Sequence, residues 1–384
     1  MKADEPAMNI ATAYTLYGRR AGAEMFFERT LQTALRLFPD TRWTVFCNRE
    51  AEAVLRQMCP QATLIPVAML EKQLSKALWL EFFSRKAVAA LGADVFWNPS
   101  GCNYFPGRWS IPTVTTFLDL GEYRVEGKYD SKRTVYRKQI CIPRSVRRSA
   151  GFTAISKFTA DDMAHFLSLR ENVAVVHCGP SPHRMERVDG AAEELQSQFG
   201  IRSGRFFFVP GRTDYRGKGL DLILEAYSRL KTRFIAEEMK IVFVGSQGDG
   251  HAEFINRLQR LDAGQDNLLY LGRVEDRTLA ALYQECLATV LPSRFEGFGF
   301  PVLEAMAAGV PVLCSDAGSL PEVAGGAALL FHSDEVDELC HQLVRLWDEP
   351  DLRARLREAG REQEGRFSWE RSAQGLMEAL IRVV

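Results

Sequence analysis

The sequence predicts an α/β protein made of two successive halves, each a parallel sheet with helices on both faces. Short apolar runs of strand length alternate with longer helical stretches, the rhythm of strand–helix–strand units. The alternation lapses once, where Pro180 and Pro182 interrupt the chain, and then restarts. A chain of 384 residues also makes about two to three domains of ~100–200 residues each.

The elements follow in order. In the first half the apolar runs Asn9–Tyr14, Trp43–Cys47, Thr63–Pro66, Val95–Trp97 and Thr113–Phe117 read as strands. Helices are expected near Glu24–Leu37, Ala51–Met58 and Lys72–Leu91. A long, charged helical stretch covers about 129–149, followed by a strand at Gly151–Ile155, a helix near Thr159–Phe166 and a closing strand at Val173–Val176. His177–Arg202 shows no clear period, and its start is taken as the crossing between domains. The second half runs strand Arg205–Val209, helix Gly219–Thr232, strand Lys240–Val244, helix Ala252–Leu261, strand Leu268–Leu271 and helix Arg277–Glu285. The expected domains are therefore 1–177 and 178–366, with a final helix over 367–384 that Ser368 caps. Two such Rossmann-like halves place a ligand cleft at the carboxyl ends of their sheets.

Composition narrows the class. An apolar fraction of 46%, a charged fraction of 25% and a net charge of −1 are those of an ordinary globular protein. No apolar run approaches the ~18 residues that span a bilayer. The first seven residues hold no hydrophobic signal core, so a disordered lead-in and a cytoplasmic location are expected. The eight cysteines are scattered without a metal-ligand spacing and read as small core residues in a reducing compartment.

The most informative stretch is Glu296-Gly-Phe-Gly-Phe-Pro-Val-Leu-Glu304-Ala-Met-Ala-Ala-Gly309. Residues 287–293 read as a buried strand feeding a loop; Pro301 then opens a short helix and Gly309 ends it. Strand, glycine turn and helix N-terminus together present backbone N–H groups and a positive dipole end, which suits a diphosphate. A carboxylate within the helix, Glu304, could accept from the vicinal hydroxyls of a ribose. A lone glycine-rich turn after a strand is commonplace, but the residues continue through Val310-Pro-Val-Leu-Cys-Ser-Asp-Ala-Gly-Ser-Leu-Pro-Glu-Val323. The stretch 291–323 closely resembles the donor-binding signature of the retaining glycosyltransferases of family 4, which have the GT-B fold: two Rossmann-like domains whose parallel sheets face an interdomain cleft.

The resemblance carries further expectations. Val209–Leu220 is similar to the family's Gly-Arg…Lys-Gly element, so Arg212 and Lys218 are expected to grip the donor diphosphate; read alone, Arg216 and Lys218 are equally well solvated loop charges. The family analogy puts Glu296 at the sugar hydroxyls, Glu304 on the ribose, the amides of Phe298, Gly299 and Phe300 on the phosphate and sugar side, and the backbone of Val274 against the base. Glu322 reads as a helix N-terminal carboxylate. The loop Gly18-Arg-Arg-Ala-Gly22 resembles the glycine loop that approaches the donor phosphate, with Gly22 the point of closest approach. The family's terminal helix packs back onto the N-terminal domain, which the analogy extends to 367–384.

One position departs from the pattern. Where family members often carry a histidine that touches the sugar's hydroxymethyl group, this chain has Leu118. Either the donor is a 6-deoxy sugar whose methyl packs on Leu118, or Asp119 or Glu122 contacts the sugar or acceptor and Leu118 is core.

The segment Arg124–Arg148 holds nine Lys and Arg against two acidic residues. It reads either as a solvated face or as a seat for an anionic lipid-linked acceptor at a membrane surface. Nucleic acid is excluded because the chain as a whole is not basic and shows no nucleic-acid module.

The resulting expectation is a metal-independent, retaining hexosyltransferase without a cofactor. It would use a GDP- or UDP-linked sugar and act on a glycan or lipid-linked acceptor in bacterial cell-surface polysaccharide or lipopolysaccharide synthesis. The alternatives are a non-catalytic nucleotide-sugar-binding partner and an epimerase acting on the sugar nucleotide.

Overall fold

The structure, a computed structural model, describes residues 8–18, 22–125, 131–181 and 187–384. The expected lead-in (1–7), the middle of the glycine loop (19–21), part of the basic segment (126–130) and Pro182 lie outside the described residues. The chain divides into two compact units, Met1–Gly179 with Ser368–Val384, and Pro180–Phe367.

The first unit holds strands β1 (Asn9–Tyr14), β2 (Arg42–Cys47), β3 (Thr63–Pro66), β4 (Val95–Asn98), β5 (Thr113–Phe117), β6 (Gly151–Ala154) and β7 (Val173–Val175). They form one parallel sheet in the order β3-β2-β1-β4-β5-β6-β7. Its central strands are buried on both faces, which is why they read as apolar runs without alternation. Helix Gly22–Leu37 buries Phe26, Phe27, Leu31, Ala34 and Leu35, a helical period. The Phe27 ring stacks on Tyr14 at 4.2 Å and on Trp97 at 5.1 Å.

The last helix, Trp369–Ile381, belongs to this unit and packs on Gly22–Leu37. Ser368 caps it by accepting from the Arg371 N–H at 3.2 Å. Gly179 lies so close to it that a Cβ there would meet the Trp369 nitrogen at 2.6 Å.

The second unit holds β8 (Phe206–Pro210), β9 (Lys240–Val244), β10 (Leu268–Tyr270), β11 (Ala288–Leu291), β12 (Val312–Ser315) and β13 (Leu329–Phe331), in the order β10-β9-β8-β11-β12-β13. All neighbours are parallel. The chain fills the sheet outward from β8, then returns to place β11 on its other side. β8 and β11 therefore flank the switch point, where ligands bind beyond the strand ends in such sheets.

One helical expectation needs correction. Lys72–Leu91 is not one regular helix: a 3₁₀ turn at Ala68–Glu71 precedes helical residues Gln73–Ala89, which widen to π geometry over Trp79–Phe83, where Ser84 N–H reaches Trp79 O. The stretch 129–149 is helical over Ser131–Arg148 with a π turn at Tyr136–Cys141. There Pro143 supplies no N–H, and the preceding Ile142 N–H bonds Arg137 O five residues back. The aperiodic 177–202 contains the helix Ala191–Phe199, of which only Ala191 and Leu195 are buried. β13 and the helices Val336–Asp348 and Pro350–Glu364 are further elements not assigned from sequence. All eight cysteines are free, and seven are buried.

Candidate active site

The site of the second unit is built where two loops leave neighbouring strands. Loop 211–219 follows β8 and loop 292–299 follows β11; the strands pair directly, with Ala288 opposite Phe207. A shallow pocket lies at their ends, and Arg212, Thr213, Lys218 and Ser293 contribute its polar lining.

Lys218 and Glu296, 78 positions apart in sequence, meet here. The Lys218 ammonium donates to Glu296 Oε1 at 2.5 Å, and the Ser293 hydroxyl donates to the same oxygen at 2.8 Å. Both side chains keep an opening to solvent, 28% for Lys218 and 13% for Glu296, and Lys218 and Ser293 line the pocket itself. Arg212 is more open and only loosely tied, with Nη2 3.5 Å from Asp214 Oδ2.

The loop is held rigidly behind these groups. Asp214 accepts from the Gly217 N–H at 3.0 Å, and the Arg294 N–H bonds Gly217 O at 3.0 Å. The Arg294 guanidinium grips Asp221 through two bonds of 2.7 and 3.0 Å, reaches Asp334 at 2.6 Å and donates to Arg216 O at 2.6 Å. Ser293, Arg294, Asp214 and Asp221 are further residues of the candidate site that sequence reasoning did not name. Each lies in or beside a motif already singled out: Ser293 and Arg294 next to Glu296, Asp214 and Asp221 within and just after Val209–Leu220.

Gly219 is the tightest point of the loop: φ is +63°, and a Cβ there would sit 1.8 Å from Pro292 O. Gly219→Ala is expected to cost at least ~2 kcal/mol and to pull Lys218 out of register with Glu296. Thermal melting together with titration of nucleoside diphosphate checks this; unchanged melting and binding would show that the loop yields freely. Gly318 makes the corresponding approach beneath the second carboxylate loop, with φ +64° and a Cβ position 2.4 Å from Glu296 O.

The other expected donor residues fall as follows. Gly299, at φ +96°, precedes helix Phe300–Ala307, and Pro301 stands in its first turn. The Phe298 ring is buried edge-on to Phe300 (5.3 Å) and Phe367 (5.9 Å), so this motif aromatic anchors the loop. Glu304 is fully enclosed and accepts from the Tyr283 hydroxyl at 2.8 Å; a ribose reaches it only if this carboxylate is uncovered. Tyr283 is another partner that sequence did not indicate. Val274 is half-buried in the loop after β10. Glu322 lies in the first turn of the short helix Leu320–Ala324.

In the first unit, Gly22 begins helix Gly22–Leu37. Leu118 is half-buried at the carboxyl end of β5, and Asp119 accepts from the Gly121 N–H at 2.9 Å. Glu122 is buried, its carboxylate paired with Arg137, Nε to Oε1 and Nη2 to Oε2 both at 3.1 Å; sugar reaches it only if this pair is uncovered.

In the basic segment several of the cations are paired within the fold. Arg124 pairs with Asp162 at 2.6 Å, while Arg144 and Arg148 converge on Glu81 at 3.4 and 2.9 Å. Hydrogen bonding from Arg148 and Arg108 holds the Glu81 carboxyl down to about 2. A carboxylate with a depressed pKa stabilises the fold above its ordinary titration range; that contribution is lost as pH falls through about 2.

Two doubly wound parallel sheets, with a cation–carboxylate pair at a switch point, match the expected GT-B architecture. Residues 192–363 match the family Glycosyl transferases group 1, and residues 28–184 match Glycosyltransferase Family 4. The chain is 43% identical over 270 residues to the O-antigen chain mannosyltransferase B of Escherichia coli, covering 70% of this chain and 69% of that one. The chain therefore belongs to the family 4 (group 1) glycosyltransferases. Among solved structures, the sucrose-phosphate synthase of Thermosynechococcus elongatus matches with a TM-score of 0.76 and 18% identity over 98% of both chains. Anabaena HepE in complex with UDP and glucose matches with a TM-score of 0.74 and 17% identity over 97% of this chain and 99% of that chain. At those identities the likeness concerns the fold.

Proposed function

We propose that this protein transfers a hexose, with retention of configuration, from a GDP- or UDP-linked donor to a hydroxyl of a glycan or lipid-linked acceptor in bacterial cell-surface polysaccharide synthesis. The observation that carries the reading is the Lys218–Glu296–Ser293 cluster beside Arg212 at the β8–β11 switch point. Similarity to the E. coli mannosyltransferase favours mannose as the sugar. The protein would work in the cytoplasm, peripherally at the inner face of the membrane.

The chemistry follows from the charges. The bond from the sugar's anomeric carbon to the diphosphate oxygen breaks, and its electron pair stays on that oxygen. The acceptor oxygen bonds the same carbon from the same face, and its proton passes to the leaving phosphate. Arg212 and Lys218 stabilise the charge growing on the diphosphate, a task for which one fixed donor is worth about 3 kcal/mol of barrier. They can do so without a metal. Glu296, oriented by Lys218 and Ser293, accepts from the sugar hydroxyls. Glu304 takes the ribose hydroxyls once exchanged from Tyr283, and the Phe298–Phe300 amides face the phosphate.

The test is incubation of the purified protein, in chelator, with GDP-, UDP-, dTDP- and ADP-sugars including 6-deoxy donors. Saturation-transfer NMR reads binding, and the same samples report slow donor hydrolysis. Selective binding and hydrolysis of one donor is expected; faster turnover of hexoses than of their 6-deoxy counterparts would end the 6-deoxy reading of Leu118. Binding of none by folded protein would overturn the transferase assignment in favour of a non-catalytic partner.

A further inference from the structure

The first unit carries an apolar face that its core does not use. Helical residues Gln73–Ala89 turn Trp79, Leu80 and Val88 inward to the core around Phe46, Phe96 and Phe105. On the opposite side Leu74, Leu78, Phe82 and Phe83 are 78%, 46%, 68% and 57% exposed. Leu74, Leu78 and Phe82 recur at i, i+4 and i+8, one helix face, and the π turn at Trp79–Phe83 brings Phe83 outward beside Phe82. Scattered exposed apolar residues need no explanation, but a contiguous stripe marks an interaction surface.

The neighbouring helix Ser131–Arg148 extends this face. The two helices are joined through Glu81, which both Arg144 and Arg148 grip, and Tyr136 packs into the same core as Trp79 and Leu80. Val135 and Ile140 are exposed on it at 49% and 36%. The same two segments, 72–89 and 131–148, carry the exposed cations Lys72, Arg85, Lys86, Lys132, Arg133 and Arg147. Residues 131–148 contain no acidic residue, and residues 72–89 contain only Glu81, whose charge is already spent on arginines. This concentration of positive charge occurs in a chain whose net charge is −1.

We propose that this face, led by Leu74, Leu78, Phe82 and Phe83, docks on an anionic lipid bilayer. Leucine and phenylalanine tips enter the boundary between headgroups and acyl chains, while the cations of these segments meet the anionic headgroups. The apolar stripe and the exposed cations each match one layer of such a surface, and an acidic protein partner would leave the four apolar side chains without a matching environment. The proposal deepens the peripheral-membrane part of the functional reading. It moves the contact from the arginines of 124–148, several of which are internally paired, to the apolar face beside them.

The experiment is flotation of the full chain with phosphatidylcholine vesicles, with and without phosphatidylglycerol, at low and high salt. Wild type is expected to float with the anionic vesicles, less so at high salt, and not with pure phosphatidylcholine. The triple variant Leu74→Ser, Phe82→Ser, Phe83→Ser should partition about tenfold or more weakly while keeping wild-type donor hydrolysis and melting. The reversal Lys72→Glu, Arg85→Glu, Lys86→Glu should abolish the preference for anionic lipid. Wild type left unfloated by anionic vesicles, or a triple variant that floats like wild type, overturns the proposal. So does a wild-type dimer that the triple variant dissolves, since a second copy would then cover the stripe. Donor hydrolysis read on the same preparations separates failure of the docking face from failure of the transferase reading.

Discussion

Lys218→Ala is expected to slow sugar transfer by about 10²–10³-fold without loss of fold. Two roles are removed at once. The ammonium is a cation of the pocket placed to meet a leaving diphosphate, and it also donates the 2.5 Å bond that orients Glu296. Because the side chain is 28% exposed and its backbone is held independently through Asp214 and Gly219, truncation leaves no buried void. Arg212→Ala should cost less, since Arg212 is 45% exposed and held only at 3.5 Å from Asp214. Single-turnover transfer, with melting as a control, reads both effects. A lysine contribution made only in the transition state lowers kcat, whereas uniform binding raises KM. Wild-type rates in both variants would sink the assignment of these residues.

Arg137→Ala should destabilise the first unit by about 3–5 kcal/mol, a fall in Tm on the order of 10 °C. Arg137 and Glu122 have side chains 5% and 0% exposed, joined by one hydrogen bond from Nε to Oε1 and a second ionic approach of Nη2 to Oε2. Removing the guanidinium leaves a carboxylate uncompensated in a place water does not reach. Removing both charges together, as Arg137→Met with Glu122→Leu, should recover much of the loss, because two buried charges cost desolvation that apolar substitutes avoid. Comparison of melting curves decides it. A double variant as unstable as the single would show that the packing of this helix, not the ion pair, carries the effect. Donor hydrolysis by the double variant also tests the role of Glu122: persistence of activity fits a structural pair, and its abolition with the fold intact would put Glu122 on the sugar side.

Much of the architecture was legible because its signals are local. β1, β3, β5 and β9 occupy the ranges their apolar runs indicate, and β2 and β11 fall within a residue or two of theirs. Pro301 and Gly309 bracket the short helix after β11 as their backbone preferences require. The region 324–366 was legible in part. Leu339, Leu343 and Leu346 recur at helical spacing within Val336–Asp348, but the three-residue β13 is too short to show any period. Ala191–Phe199 buries only two side chains, so its amphipathic signal is faint. The π turns were not legible, because they depend on which carbonyl each N–H finds after a proline or a bulky packed side chain.

At the site, sequence alone determined the residue types and the order of the motif: two carboxylates eight positions apart around a glycine turn, and a lysine in a glycine loop after an earlier strand. These are properties of contiguous segments, set by backbone preference and side-chain chemistry. Only the tertiary structure decided which of them meet. It joined Lys218 to Glu296, placed Arg294 as the clamp on Asp221, closed Glu304 behind Tyr283, and turned Glu122 from an open carboxylate into half of a buried pair. The physical reason is range. A contact between residues 15 to 78 positions apart is set by the sheet order that brings strand ends together, and no local pattern of charge or hydrophobicity encodes that order.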